Sequence, residues 1–211
     1  MDKKLPAAEA HVWLARLKAP LPGAASSLSP DEKERAARFA FPELRERFAA
    51  CRQALRRVLA DYLDEDPKAL AFAYSANGKP SLTGTRAWLR FNLSHSDDLA
   101  LIAVSSERDL GVDLERVRRV PEAAKLVADH FRERDRRAFS ALPAGETDRG
   151  FLRLWTRQEA YLKALGLGLT GPLDAETDGR WTFHELEGAP EWVGALVREG
   201  ETAVLLRELE G

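Results

Sequence analysis

The chain has 211 residues, 45% hydrophobic and 31% charged, enough to bury a core as one domain or two small ones. Lys and Arg number 32 against 34 Asp and Glu, a formal net charge of -2, which argues against a nucleic-acid partner held by bulk positive charge. No apolar run approaches transmembrane length and MDKKLPAAEA lacks the apolar stretch of a signal peptide, so a soluble cytoplasmic protein without a membrane partner is expected.

Residues 9 to 17 (EAHVWLARL) alternate weakly and predict a first strand, which Pro20, Pro22 and Gly23 end. Ser29-Pro30-Asp31-Glu32 reads as a helix start, with Ser29 as N-cap and Glu32 at the capping-box position; Arg35 and Arg38 follow. From Leu44, the apolar residues Phe48, Cys51, Leu55, Val58, Leu59 and Tyr62 keep helical spacing and predict an amphipathic helix over 43–63. Cys51, the lone cysteine, is expected in the core, and it excludes an internal disulfide or a Cys-rich metal site. Arg45, Arg47, Arg52, Arg56 and Arg57 occupy the other sides, and most of them are expected to be solvated.

Tyr74 to Pro80 is turn chemistry, with Asn77-Gly78 and Pro80 fixing the backbone. Lys79, held between Gly78 and Pro80, could reach a phosphate or could be a plain loop lysine. Residues 87 to 93 predict a strand that runs into Ser94-His95-Ser96, a histidine well placed to hydrogen-bond an anion. Leu99 to Val104 is strand-like, and Ser105 to Asp109 predicts a turn joining it in a hairpin to Gly111-Val112-Asp113-Leu114-Glu115. Period-two alternation sends Asp113 and Glu115 to the same side, where they repel unless the face is wet or a cation lies between them.

Residues 116 to 137 hold eight Arg or Lys against four Asp or Glu, a local excess of four positive charges that suits either an acidic partner or a solvated helix. Pro143 to Gly150 reads as a loop. In the helix that follows, Phe151, Leu154, Trp155, Leu162 and Leu165 form one apolar stripe bordered by Glu159 and Lys163, and Gly166 and Gly168 end it. Glu159 and Lys163 suit an ordinary salt pair, or a metal-and-phosphate site in which Glu159 adds a third oxygen to Asp113 and Glu115. Such an oxygen-only site suits Mg²⁺. The last third, through RWTFHELE, EWVGALVRE and ETAVLLRE, predicts three short antiparallel strands. Cys51-Arg52-Gln53 and Thr156-Arg157-Gln158 take similar places on the two long helices, a faint echo that suggests two α+β halves meeting at a cleft.

Asn92 to Ser96, Gly111 to Glu115 and Trp155 to Lys163 resemble, in order and spacing, the motifs of 4′-phosphopantetheinyl transferases of the Sfp type, and Gly78-Lys79-Pro80 fits as well. The likeness runs from about Ser29 to Asp174. It implies an α+β fold of two similar halves, 1–108 and 109–211, each a small antiparallel sheet packed on a long helix, with the active site in the cleft between them. It implies that coenzyme A binds there, that Mg²⁺ is held by Asp113, Glu115 and Glu159, and that Arg35, Arg47 and Lys79 hold the nucleotide end. Ser94 and His95 lie in the motif that meets the 3′-phosphate. The expected reaction moves phosphopantetheine to a serine of an acidic acyl or peptidyl carrier protein, with Glu159 as proton acceptor and Lys163 at the leaving phosphate, in a monomeric enzyme. Gln158 departs from the resemblance, standing where the family usually has lysine. A silent binder of carrier or coenzyme A, or another Mg²⁺-dependent phosphotransfer enzyme, is the alternative reading.

Overall fold

The computed structural model describes residues 5–17, 28–168 and 179–209. The predicted strand break at Pro20, Pro22 and Gly23 lies outside them. The elements in order are β1 (Glu9–Arg16), α1 (Pro30–Ala37), α2 (Pro42–Leu63), β2 (Ala73–Tyr74), β3 (Pro80–Ser81), β4 (Leu89–Ser96), β5 (Leu99–Ser106), β6 (Leu110–Arg116), α3 (Ala123–His130), α4 (Glu133–Ser140), α5 (Thr147–Leu165), β7 (Trp181–Leu186), β8 (Trp192–Glu199) and β9 (Ala203–Glu208).

The long strands gather into two sheets, ordered β4-β5-β1-β9 and β6-β8-β7, beside a small β2-β3 pair. β5 shows why they stack. Its Ala100, Ile102 and Val104 join Ala54, Leu55, Val58 and Leu59 of α2 in one core. The alternating Leu99, Leu101 and Ala103 join Val112 and Leu114 of β6 and Trp192 and Leu196 of β8 in another. On the far side, Ala160, Tyr161 and Ala164 of α5 pack on Ala195 and Val197 of β8. The layers are therefore α2, first sheet, second sheet and α5, an α+β arrangement. Among the described residues no helix is long and apolar enough to cross a membrane.

Three expectations about elements need correction. β5 and β6 do not form a hairpin: β5 pairs antiparallel with β4 and with β1, so both its edges are taken, and β6 crosses to pair with β8. The last three strands are not all antiparallel neighbours. β7 and β8 pair antiparallel, but β9 returns to the first sheet and runs parallel to β1, with Ala203 opposite Glu9. The expected loop 143–150 ends early, because α5 begins at Thr147 and Asp148 in its first turn accepts the Val120 amide at 2.9 Å.

Two arginines are also placed differently from expectation. Arg52 and Arg56 are buried, not solvated, and both grip Glu32 of α1, itself 2% exposed, at 2.5 and 2.8 Å. Arg56 also donates to the carbonyls of Pro67 and Leu70, and both guanidinium groups lie over the Phe72 ring. Glu32 still closes the predicted cap, accepting the Ser29 amide at 3.0 Å. Cys51 is buried as expected, and burial pushes its thiol up to about 12, which leaves it inert.

Candidate active site

The site lies where β4, at the edge of the first sheet, runs beside β6, at the edge of the second. No backbone ladder joins these strands; a polar side-chain ladder does. Asn92 Oδ1 accepts the Val112 amide at 2.9 Å, Ser94 Oγ donates to Asp113 Oδ1 at 2.7 Å, and Ser96 Oγ donates to Glu115 Oε2 at 2.9 Å. The period of two does this: Asn92, Ser94 and Ser96 share one side of β4 as Asp113 and Glu115 share one side of β6. β4 extends through the Ser-His-Ser stretch, so these serines sit on a strand and not on a loop beyond it.

α5 covers this seam. Gly111 is what lets it come close: a Cβ there would stand 2.0 Å from the Ala160 carbonyl oxygen and 2.4 Å from the Ala164 nitrogen. With the helix backbone against the strand, Lys163 Nζ reaches Asp113 Oδ1 at 2.5 Å and Ser94 Oγ at 3.0 Å. Glu159, one turn earlier, is buried rather than bordering the stripe, while Leu154, Trp155 and Leu165 of that stripe are only half-buried. The buried face runs through Leu152, Thr156, Glu159 and Ala160, because two strands and not one press on the helix. Burial, and then the Asp113 carboxylate, push the Glu159 carboxyl up to about 7, with Lys163 opposing and Glu115 adding to the rise.

Among the described residues no group of three His, Cys, Asp or Glu side chains is gathered closely enough to hold an ion. Asp113 instead has its Oδ1 engaged by Lys163 and Ser94. The donor chemistry nonetheless fits a hard divalent cation. Asp113, Glu115 and Glu159 are all oxygen donors, and the mutual repulsion felt at Glu159 is what such a cation would relieve.

Of the residues expected at the nucleotide end, Arg35 projects from α1 over the Phe48 ring at 5.5 Å. Arg47 stands 3.7 Å from Asp97 in the β4–β5 turn. His95 stands at an exposed position of β4, and crowding by the surrounding protein, then the cationic Lys163, hold its ring below the ordinary histidine range, with Asp113 opposing and Arg35 adding the least. Lys79 lines a hollow with Asn92, Leu93 and Lys163, and its Nζ donates to the carbonyls of Leu110 and Ala164. Sequence reasoning missed this engagement and the close approach at Gly111. The only hint of the latter is a glycine inside a strand pattern, where it often marks a neighbouring backbone.

Two family models divide the chain between them. The 4′-phosphopantetheinyl transferase N-terminal model matches residues 13–107, and the 4′-phosphopantetheinyl transferase superfamily model matches residues 109–203. The 4′-phosphopantetheinyl transferase HetI of Nostoc sp. is 39% identical over 91% of this chain and 88% of its own. A Synechocystis sp. protein assigned as a 4′-phosphopantetheinyl transferase is 36% identical over 78% of this chain and 68% of its own. The L-aminoadipate-semialdehyde dehydrogenase-phosphopantetheinyl transferase of Xenopus laevis is 29% identical over 69% of this chain, which spans about half (51%) of that protein. With two models meeting end to end across it and relatives 36–39% identical over most of its length, the chain belongs to the 4′-phosphopantetheinyl transferase family.

Proposed function

We propose that the protein moves 4′-phosphopantetheine from coenzyme A to a serine of an acyl or peptidyl carrier protein and releases 3′,5′-ADP. The observation that carries this is the meeting of Asp113, Lys163 and the buried Glu159 at the β4–β6 seam, in a chain of this family. Glu159 takes the serine proton as the serine oxygen bonds to the β-phosphorus. The bridging P–O bond breaks toward the nucleotide, and Lys163 meets the charge left on the departing phosphate. Asp113, Glu115 and Glu159 would hold Mg²⁺, which supplies charge neutralisation at the pyrophosphate.

Arg35, Arg47, Lys79, Ser94 and His95 take the nucleotide end of coenzyme A in this reading. On the same reading the chain works as two similar halves, 1–108 and 109–211, with the cleft along the β4–β6 seam; the two family models that divide near residue 108 support it, and β9 reaches back to the first sheet. The basic segment 116–137 docks the acidic carrier, and the enzyme acts as a cytoplasmic monomer.

The test is intact-mass measurement of an apo carrier protein mixed with this protein, coenzyme A and Mg²⁺, with and without EDTA. A gain of one phosphopantetheine that EDTA abolishes is expected. Asp113→Ala should give no gain at any Mg²⁺ concentration while keeping the wild-type circular dichroism spectrum; near-normal transfer by that variant would remove the assignment. No gain by the wild type with several unrelated carriers would favour a silent binder and make Gln158→Lys the next variant.

A further inference from the structure

β6 is the outer strand of its sheet: one edge pairs with β8, and the other faces β4 without a backbone ladder. Side chains of β4 stand in for the missing strand. Asn92 Oδ1 accepts the Val112 amide at 2.9 Å and, four residues further along both strands, Ser96 Oγ accepts the Arg116 amide at 3.1 Å. The Arg116 side chain closes the same end of the seam, its Nε donating to Asp98 Oδ1 at 3.0 Å in the turn after β4.

The Arg116 amide decides where the Ser96 proton goes. A hydroxyl has one hydrogen to donate; with the amide bonded to its oxygen, that hydrogen runs to Glu115 Oε2 at 2.9 Å. Ser96 therefore holds β6 at two adjoining points, the Glu115 carboxylate and the backbone that follows it. A second group draws on the same oxygen. Arg118 Nη2 stands 3.7 Å from Glu115 Oε2, with its side chain 57% exposed against 22% for Glu115. An exposed pair of that length holds little, and a carboxylate left to it alone would follow a solvated side chain. Ser94 makes the parallel contact to Asp113, but there Lys163 Nζ holds the same oxygen at 2.5 Å. At Glu115 the serine is the close anchor.

We propose that Ser96 is a positioning residue: it holds Glu115 Oε2 against the draw of Arg118 and so keeps Oε1, on the strand face shared with Asp113, as the oxygen offered to a divalent cation. This rests on the reading above in which Asp113, Glu115 and Glu159 hold Mg²⁺, and it adds the first-half residue that sets one of those three carboxylates. Loss of a group that orients a metal-ligating side chain costs about 10- to 100-fold in metal affinity or activity. Ser96 is a neutral donor to a partly exposed carboxylate, so the lower figure applies. The effect should be read in cation affinity and not in turnover at saturating cation, because the hydroxyl acts through Glu115 and bonds to none of the groups assigned to the serine proton or the departing phosphate.

The test titrates Mn²⁺, a paramagnetic stand-in for Mg²⁺, into the protein with saturating coenzyme A and no carrier, so that no transfer occurs. Free Mn²⁺ is read by electron paramagnetic resonance against coenzyme A alone. Ser96→Ala is expected to bind Mn²⁺ about tenfold more weakly. Ser96→Thr, which keeps the hydroxyl, should stay near wild type, and Arg118→Gln added to Ser96→Ala should recover part of the loss. With an apo carrier, Ser96→Ala should need correspondingly more Mg²⁺ for half-maximal rate, with kcat at saturating Mg²⁺ close to wild type. Unchanged Mn²⁺ affinity in a Ser96→Ala protein with the wild-type circular dichroism spectrum would overturn the proposal, even if its melting temperature falls. An equal loss in Ser96→Thr would assign the effect to packing and overturn it as well. No Mn²⁺ uptake by the wild type beyond that of coenzyme A alone is a different result: it would remove the cation reading itself, and this role with it.

Discussion

Glu159 carries a cost that pH should expose. Its carboxyl titrates near 7 in the folded, metal-free protein, against 4.5 for the free side chain. Below the lower value it is protonated folded or unfolded, and contributes nothing. Between the two values the folded state holds a proton that the unfolded state has lost, so stability falls as pH rises; above about 7 the full penalty, on the order of 3 kcal/mol, is present. Glu159→Gln removes that slope. In EDTA, the variant's melting temperature should gain on the wild type's between pH 5 and pH 8, and parallel curves would show that the carboxyl is not held in this way.

At the scale of elements, pattern is legible where contacts are local and illegible where they are not. The helix over 43–63 and the strand at 99–104 follow from periods of 3.6 and 2 that any partner would require. The partner itself is not encoded in the period. β6 fits a hairpin with β5 as well as it fits β8, and only the occupied edges of β5 decide between them. Burial of Arg52 and Arg56 is similarly hidden, because the acid that accepts them stands twenty residues or more away on another helix. Burial alone would raise the Glu32 carboxyl, but the two guanidinium groups hold it below the ordinary glutamate range. Glu32→Ala leaves both cations without their acid, and Arg56 is only 1% exposed. Loss of a partner of that kind costs about 3–5 kcal/mol. Urea denaturation at neutral pH should show a loss of this size. A loss under about 1 kcal/mol, the range of an exposed pair, would mean that the α1–α2 junction does not depend on the ion cluster.

Across the whole molecule, charge is distributed more informatively than its total of -2 suggests. The candidate site is legible because its residue types recur at fixed spacing on three elements; the proposed docking face is less so, because many of its cations are already matched on their own helices. Lys125 pairs with Asp129, and Arg136 and Arg137 with Glu133. These pairs are exposed, and exposed pairs hold little energy. The cations therefore remain available to an approaching acidic surface, and their contribution should fall mainly on encounter with the carrier. Lys125 and Arg137, with side chains 74% and 78% exposed, are the cleanest places to ask. The double reversal Lys125→Glu and Arg137→Glu should raise the KM for an acidic carrier several-fold, with the effect shrinking as salt screens it over a Debye length of about 10 Å at 0.1 M. kcat and the KM for coenzyme A should stay near wild type, since neither residue is part of the β4–β6 seam. An unchanged carrier KM at low salt would place the docking face elsewhere, and a raised coenzyme A KM would mean that α3 and α4 serve the nucleotide instead.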